Sequence, residues 1–282
     1  MSVEENSVHE SLENKAAELL RLHRDPTLLT VVNVWDAITA KVVAETPGTA
    51  ALATASHSIA ASLGYPDGEN IPVDTMIEAV GRIVAATTLP VTADLEAGYG
   101  DPAETVRKAI GVGVVGANVE DQMKPLDEAV ADVKAIMDAA ISEGVPDFVL
   151  NARTDAFVLG FKRDQTEVLA EAIERGKAYL DAGAPTVFVP GILGQKQIAA
   201  LVEAFGPQRL TVIGFPGSTP PDRLAELGVA RVSYGPQPMR VALTALQELV
   251  EEIHAGGGIP ASTRQHLSRS IPGRAWSSSS RM

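Results

Sequence analysis

The fold class that this sequence predicts is α/β, a closed (β/α)8 (TIM) barrel, and three observations carry that expectation. Apolar runs of strand length recur eight times, each followed by a polar turn and a helical pattern. The runs read apolar throughout, as do strands of a parallel sheet covered by helices. The rhythm has no break, which favours a closed barrel over an open doubly wound sheet, and no Gly-x-Gly-x-x-Gly follows the first run, so dinucleotide binding has little support.

The elements follow in order. Leu12, Ala16, Leu19, Leu20 and Leu22 predict an amphipathic helix over Val8 to His23, stopped at Asp25-Pro26 and covering one end of the fold. Strands are expected at Thr30 to Val34, Ala50 to Ala55, Pro90 to Ala93, Val115 to Val119, Phe148 to Asn151, Thr186 to Val189, Leu210 to Ile213 and Arg231 to Ser233. Helices are expected at Ala37 to Glu45, Asp74 to Ala86, Pro102 to Ile110, Leu126 to Ser142, Thr166 to Asp181, Gln195 to Phe205, Pro221 to Glu226 and Pro238 to His254. Several end on glycine (Gly144, Gly183, Gly206, Gly228), which suits a left-handed C-cap. The division expected is a helical segment over 1–27, a catalytic barrel over 28–255, and a flexible tail or inter-subunit arm over 256–282.

Composition narrows the function. A net charge of -13 argues against a nucleic-acid or anionic membrane partner, while leaving small substrates open. The chain has no cysteine, hence no disulfide, thiolate metal site or thiol acid. The acidic, polar stretch Met1 to Asn14 has no signal pattern, and no apolar span is long enough for a bilayer, so a cytoplasmic enzyme is expected.

The stretch Pro90 to Asp101 places Asp94 and Glu96 two residues apart where a strand runs into a glycine-rich loop. Period-two geometry puts both carboxylates on one face, where their repulsion asks for a positive partner such as Mg²⁺, which takes carboxylate oxygens while keeping several waters. The alternative is a strand end whose carboxylates reach solvent or cap the next helix. Chemistry in such a barrel sits at the C-terminal strand ends, and polar residues collect there: Asn33 to Asp36, Thr54 to His57, Asn118, Glu120 and Asp121, and Asn151 to Asp155. Glu120 would lie beside Asp94 and Glu96, and three carboxylates strengthen the case for a cation. Arg153 is placed either to receive an anionic substrate or to pair with Glu120 or Asp155. The long connection Ala60 to Glu69 carries Asp67, a metal ligand through water, a proton acceptor or a turn residue before Gly68. His57 reads as a structural or substrate-lining residue rather than a ligand, and Trp35 as a pocket wall or a core residue.

Five segments, Asn33 to Ala37, Ala61 to Asp67, Asp94 to Gly100, Asn118 to Asp121 and Asn151 to Asp155, resemble in order and spacing the isocitrate lyase/phosphoenolpyruvate mutase superfamily, from about Leu28 to Val250. The resemblance implies a barrel whose last helix is exchanged between subunits, in a homodimer or homotetramer. It implies Mg²⁺ (with Mn²⁺ as an alternative) at Asp94, Glu96 and Glu120, with Asp67 nearby. It places substrate at Trp35, Thr54, Ala55, Ser56, Asp94 and Arg153. The implied function is Mg²⁺-dependent cleavage of a carbon-carbon bond in a small 2-oxo or 2-hydroxy carboxylate, by a lyase or an oxaloacetate-type hydrolase, through a metal-stabilised enolate. Two departures matter: the superfamily's lyase cysteine motif is absent, and of the longer gate of the phosphonopyruvate branch only Lys124 remains as a catalytic candidate. The alternatives are phosphorus-carbon chemistry and a barrel that binds carboxylates without turnover.

Overall fold

All eight expected runs become strands, and the first becomes two. The computed structural model describes residues 3–259. In chain order its elements are α1 (Val3–Arg24), β1 (Leu29–Thr30), β2 (Val32–Val34), α2 (Ala37–Ala44), β3 (Leu52–Thr54), α3 (Ser56–Ser62), α4 (Val73–Val84), β4 (Val91–Asp94), α5 (Pro102–Gly111) and β5 (Gly116–Glu120). They continue with α6 (Leu126–Ser142), β6 (Val149–Arg153), α7 (Ala156–Leu159), α8 (Gln165–Asp181), β7 (Thr186–Phe188), α9 (Gln195–Phe205), β8 (Leu210–Ile213), α10 (Pro221–Glu226), β9 (Arg231–Ser233) and α11 (Gln237–His254).

Nine parallel strands form a nearly closed barrel in the order β1-β9-β8-β7-β6-β5-β4-β3-β2. The first run divides at Val31: β1 pairs with β9, β2 pairs with β3, and the Val31 N–H donates to Val232 O at 3.0 Å. The seam is closed by continuity of the chain. Parallel pairing throughout sends every strand's C-terminal end to one mouth.

The runs are less uniformly apolar than the sequence suggests. Asn118, Asn151, Thr186, Thr211 and Arg231 are all buried in the sheet. Asn151 joins them: its Nδ2 donates to Asn118 Oδ1 (2.7 Å), and its Oδ1 accepts from Thr186 (3.0 Å) and Thr211 (2.7 Å). Buried polar groups persist where they are hydrogen-bonded, and the two asparagines and two threonines are; Arg231 keeps Nε and Nη1 buried without a partner among the described residues. The connection Ala60 to Glu69 is shorter than expected, because α3 extends through Ser62 and claims its first residues.

Helix α1 packs on the barrel through Ala16, Leu19 and Leu20, all buried. Leu19 lies against the start of β5 so closely that a Cβ on Gly116 would come within 2.8 Å of its Cδ2. Helix α11, by contrast, is uncovered: Val241 is 71% exposed, Leu243 and Leu246 each 56%. Met239, Leu243, Leu246, Val250 and Ile253 recur at four- and three-residue steps and so form one stripe. Among the described residues no helix is long and apolar enough to cross a membrane. Of the expected 256–282 tail, residues 260–282 lie outside the described residues.

His23, at the end of α1, is fully buried, with Nδ1 2.8 Å from Leu19 O. Burial, assisted by the charge of Arg231, pushes its pKa down to about 3. The unfolded chain therefore takes up a proton near pH 6.5 that the folded chain refuses, so the stability this neutral ring contributes is complete above about 6.5 and is lost as pH falls toward 3. In urea titrations, the stability difference between wild type and His23→Gln should shrink by about 2 kcal/mol from pH 7.5 to pH 5. Parallel pH dependences would contradict the assignment.

Candidate active site

Strands β4, β5 and β6 end side by side, with Asp94 in register with Asn118, and Glu120 with Arg153. The β3 end orients Asp94. Its Oδ2 accepts from Ser56 N (3.1 Å) and Ser56 Oγ (2.7 Å), while its own N–H donates to Thr54 Oγ1 (3.0 Å). The Ala55 N–H donates to Val34 O. The donors expected to meet substrate thus already have partners within the chain.

Glu96 departs from the period-two expectation. Strand β4 stops at Asp94, and Glu96 has φ 52, so the turn rather than the pleat aims its side chain. Gly98, at φ 93, lets that turn fold back on Pro102, which a Cβ would strike. Glu96 accepts from the Glu69 N–H and, at 3.3 Å, from the Tyr99 hydroxyl; Glu69 in turn accepts from Tyr99 N at 2.6 Å. Glu69 (φ 61), Glu96 and Tyr99 (φ 54) are all non-glycine residues in the left-handed region, a strained arrangement that a dense bonding network sustains. This knot draws the 63–72 connection onto the β4 end. Asp67 is exposed on that connection, and its charge reaches Glu96.

Arg153 shows both contacts of the ion-pair alternative. Its Nη1 lies 2.6 Å from Glu120 Oε2, and its Nε and Nη2 each lie 2.7 Å from Asp155 Oδ1. Burial pushes Glu120 up to about 7, with Arg153 opposing and Asp155, Asp94 and Glu96 adding to the rise. Burial likewise pushes Glu96 up to about 7, helped by Asp94 and Asp67. A second guanidinium, Arg231 on β9, is 1% exposed; its Nη2 meets Asn118 Oδ1 at 3.5 Å, and the charge of Asp94 reaches it. Sequence reading missed it, since one arginine opening an apolar run looks like a strand boundary.

The other candidates lie apart from these carboxylates. Lys124 Nζ pairs with Asp132 at 2.6 Å. Trp35 lines a groove of about 410 Å³ with Ile38, Leu63, Ala79 and Arg82. His57 stands in the first turn of α3, its Nδ1 buried and without a partner among the described residues.

The donor chemistry suits a hard divalent cation: Asp94, Glu96 and Glu120 supply oxygens only, and burial, with the neighbouring carboxylates adding to it, resists the ionisation of Glu96 and Glu120. Among the described residues no group of three or more His, Asp or Glu side chains is placed to hold an ion together. The fit is therefore to an ion that takes few protein oxygens and keeps its water, as Mg²⁺ does.

A family model described as phosphoenolpyruvate phosphomutase matches residues 19–254. The chain is 30% identical to 2,3-dimethylmalate lyase of Eubacterium barkeri over 230 residues, 76% of each protein. Among solved structures it is similar to a putative phosphonomutase from Burkholderia cenocepacia J2315, with a TM-score of 0.79 and 40% identity over 87% of this chain and 100% of that one. It is also similar to an oxaloacetate acetylhydrolase solved with its product oxalate, with a TM-score of 0.78 and 27% identity over 89% of this chain and 91% of that one. The resemblance expected from the sequence holds, and the chain belongs to the isocitrate lyase/phosphoenolpyruvate mutase superfamily.

Proposed function

We propose that this protein is a Mg²⁺-dependent enzyme that cleaves a carbon-carbon bond in a small 2-oxo or 2-hydroxy carboxylate. The observation that carries the reading is the crowding of Asp94, Glu96 and Glu120 at one end of the barrel, where two of the three carboxyls are pushed to about 7. Of Asp94, Glu96 and Glu120, one or two would hold the cation directly and the others through its waters, with Asp67 beside them, and the ion would supply positive charge where an enolate oxygen develops.

The chain's own residues do the rest. Ser56 fixes Asp94 through two hydrogen bonds, and Thr54 holds the Asp94 backbone. Asp155 grips the Nε and Nη2 edge of Arg153, leaving Nη1 to pass from Glu120 to an incoming substrate carboxylate. The resemblance to a dimethylmalate lyase favours carbon-carbon chemistry. Phosphorus-carbon chemistry is the second reading, favoured by the family model and by the 40% identical putative phosphonomutase. Release of pyruvate from phosphonopyruvate, without activity on malate or oxaloacetate derivatives, would select it.

We further propose that the α11 stripe is covered by a second copy, consistent with an exchanged last helix in a homo-oligomer. A row of large apolar side chains at this exposure is costly to leave in water.

Three outcomes test these proposals. Asp94→Ala should lose Mg²⁺-dependent turnover across a panel of 2-oxo and 2-hydroxy acids, read by product mass, and keep its circular dichroism; wild-type turnover would refute the site. Because the crowded carboxyls keep protons up to about pH 7, Mg²⁺ must displace them, so its affinity should rise between pH 6 and 8 with proton uptake by the buffer in calorimetry. Pairing Leu243→Glu with Val250→Glu should convert the sedimenting species to single chains, and an unchanged profile would remove α11 from the interface.

A further inference from the structure

One buried charge near the mouth has no part in the reading above. Asp121 follows Glu120 but turns to α8 and is 4% exposed. Its Oδ1 accepts from the N–H groups of Met123 and Asp155, both at 3.0 Å. Its Oδ2 accepts from the Tyr179 hydroxyl at 2.6 Å and from Arg175 Nη1 at 3.2 Å. Arg175 and Tyr179 stand four residues apart on α8 and so share a face. Arg175 Nη2 donates onward to Lys124 O at 2.9 Å, and Lys124 N donates to Asp121 O at 2.9 Å.

Four donors fill the acceptor capacity of one carboxylate. The segment beyond it depends on them: Gln122 and Met123 have φ 45 and φ 55, consecutive left-handed residues that are not glycine, which persist only where the surroundings over-determine them. The same carboxylate pins the Asp155 N–H, and Asp155 Oδ1 holds Arg153 by Nε and Nη2. An unbroken series of bonds therefore runs from the helix layer to the guanidinium at the mouth.

We propose that Tyr179 and Arg175 are positioning residues. Acting through Asp121, they set Asp155, which presents Arg153 to a substrate carboxylate, and they hold residues 122–125 as a fixed strap rather than a swinging gate. Neither is among the residues proposed to meet substrate or cation. The inference rests on reading Arg153 as the substrate-binding arginine.

Tyr179→Phe tests it, with three measurements on the full chain: thermal unfolding, the Nε–Hε resonance of Arg153 (identified by its loss in Arg153→Lys), and affinity for oxalate with Mg²⁺ by calorimetry. The expected result is a folded protein whose Arg153 Nε–H exchanges with water about tenfold faster and whose oxalate affinity falls about tenfold, as for loss of one hydrogen bond to a charged group. A resonance and an affinity equal to wild type, at any melting temperature, would reduce Tyr179 to a structural brace and overturn the inference. So would faster exchange confined to the 122–125 amides. If the wild type binds no oxalate, the substrate reading of Arg153 fails, and the Nε–Hε resonance alone decides whether α8 orients that guanidinium. Should Tyr179→Phe not fold, Arg175→Lys, which keeps the charge but loses the fork onto Asp121 and Lys124, takes the same measurements.

Discussion

Electrostatic crowding at the mouth is the constraint on which the rest of the structure depends. Asp94, Glu96, Glu120 and Asp155 approach one another, and each is supplied with donors from a different direction. Ser56 serves Asp94, the Glu69 N–H and Tyr99 serve Glu96, and Arg153 bridges Glu120 and Asp155. Removing one partner of a buried ion pair costs about 3–5 kcal/mol because the other charge is left uncompensated. These contacts hold the mouth together.

Much of this was legible in the sequence because parallel barrels have a simple grammar: buried strands, covering helices, and chemistry at one end. The strand positions and the strand-end positions of Asp94, Glu120 and Arg153 follow from that grammar alone. What escaped depends on backbone turns or on distance along the chain. Period-two reasoning assumed that the strand continued to Glu96, whereas the backbone enters the left-handed region there. The polar filling of the barrel was hidden because a lone Asn118 or Thr211 in an apolar run carries no sign of its partners. The Tyr179–Asp121 bond spans 58 residues, and no local pattern announces it.

The superfamily supplies a chemical theme, and the local structure suggests how this chain carries it. The chain has no cysteine and Lys124 is bound to Asp132, so the groups described at the mouth are carboxyls, guanidiniums, Ser56 and the Tyr99 hydroxyl. The proton affinities of Glu96 and Glu120 are raised by burial first and by the neighbouring carboxylates second.

The divided first strand bears on the birth of the molecule. Asn33 Oδ1 accepts from Tyr234 N and Gly235 N, both at 2.8 Å, across 201 and 202 residues of chain. Together with the β1–β9 pairing, this stitch joins the start of the barrel to its end. The ring cannot close until β9 has left the ribosome, and until then the first strand waits with an open edge. Such long-separated pairing is slow to form and exposes unpaired strands while it does, so the nascent chain's most vulnerable interval runs from the emergence of β2 to that of β9.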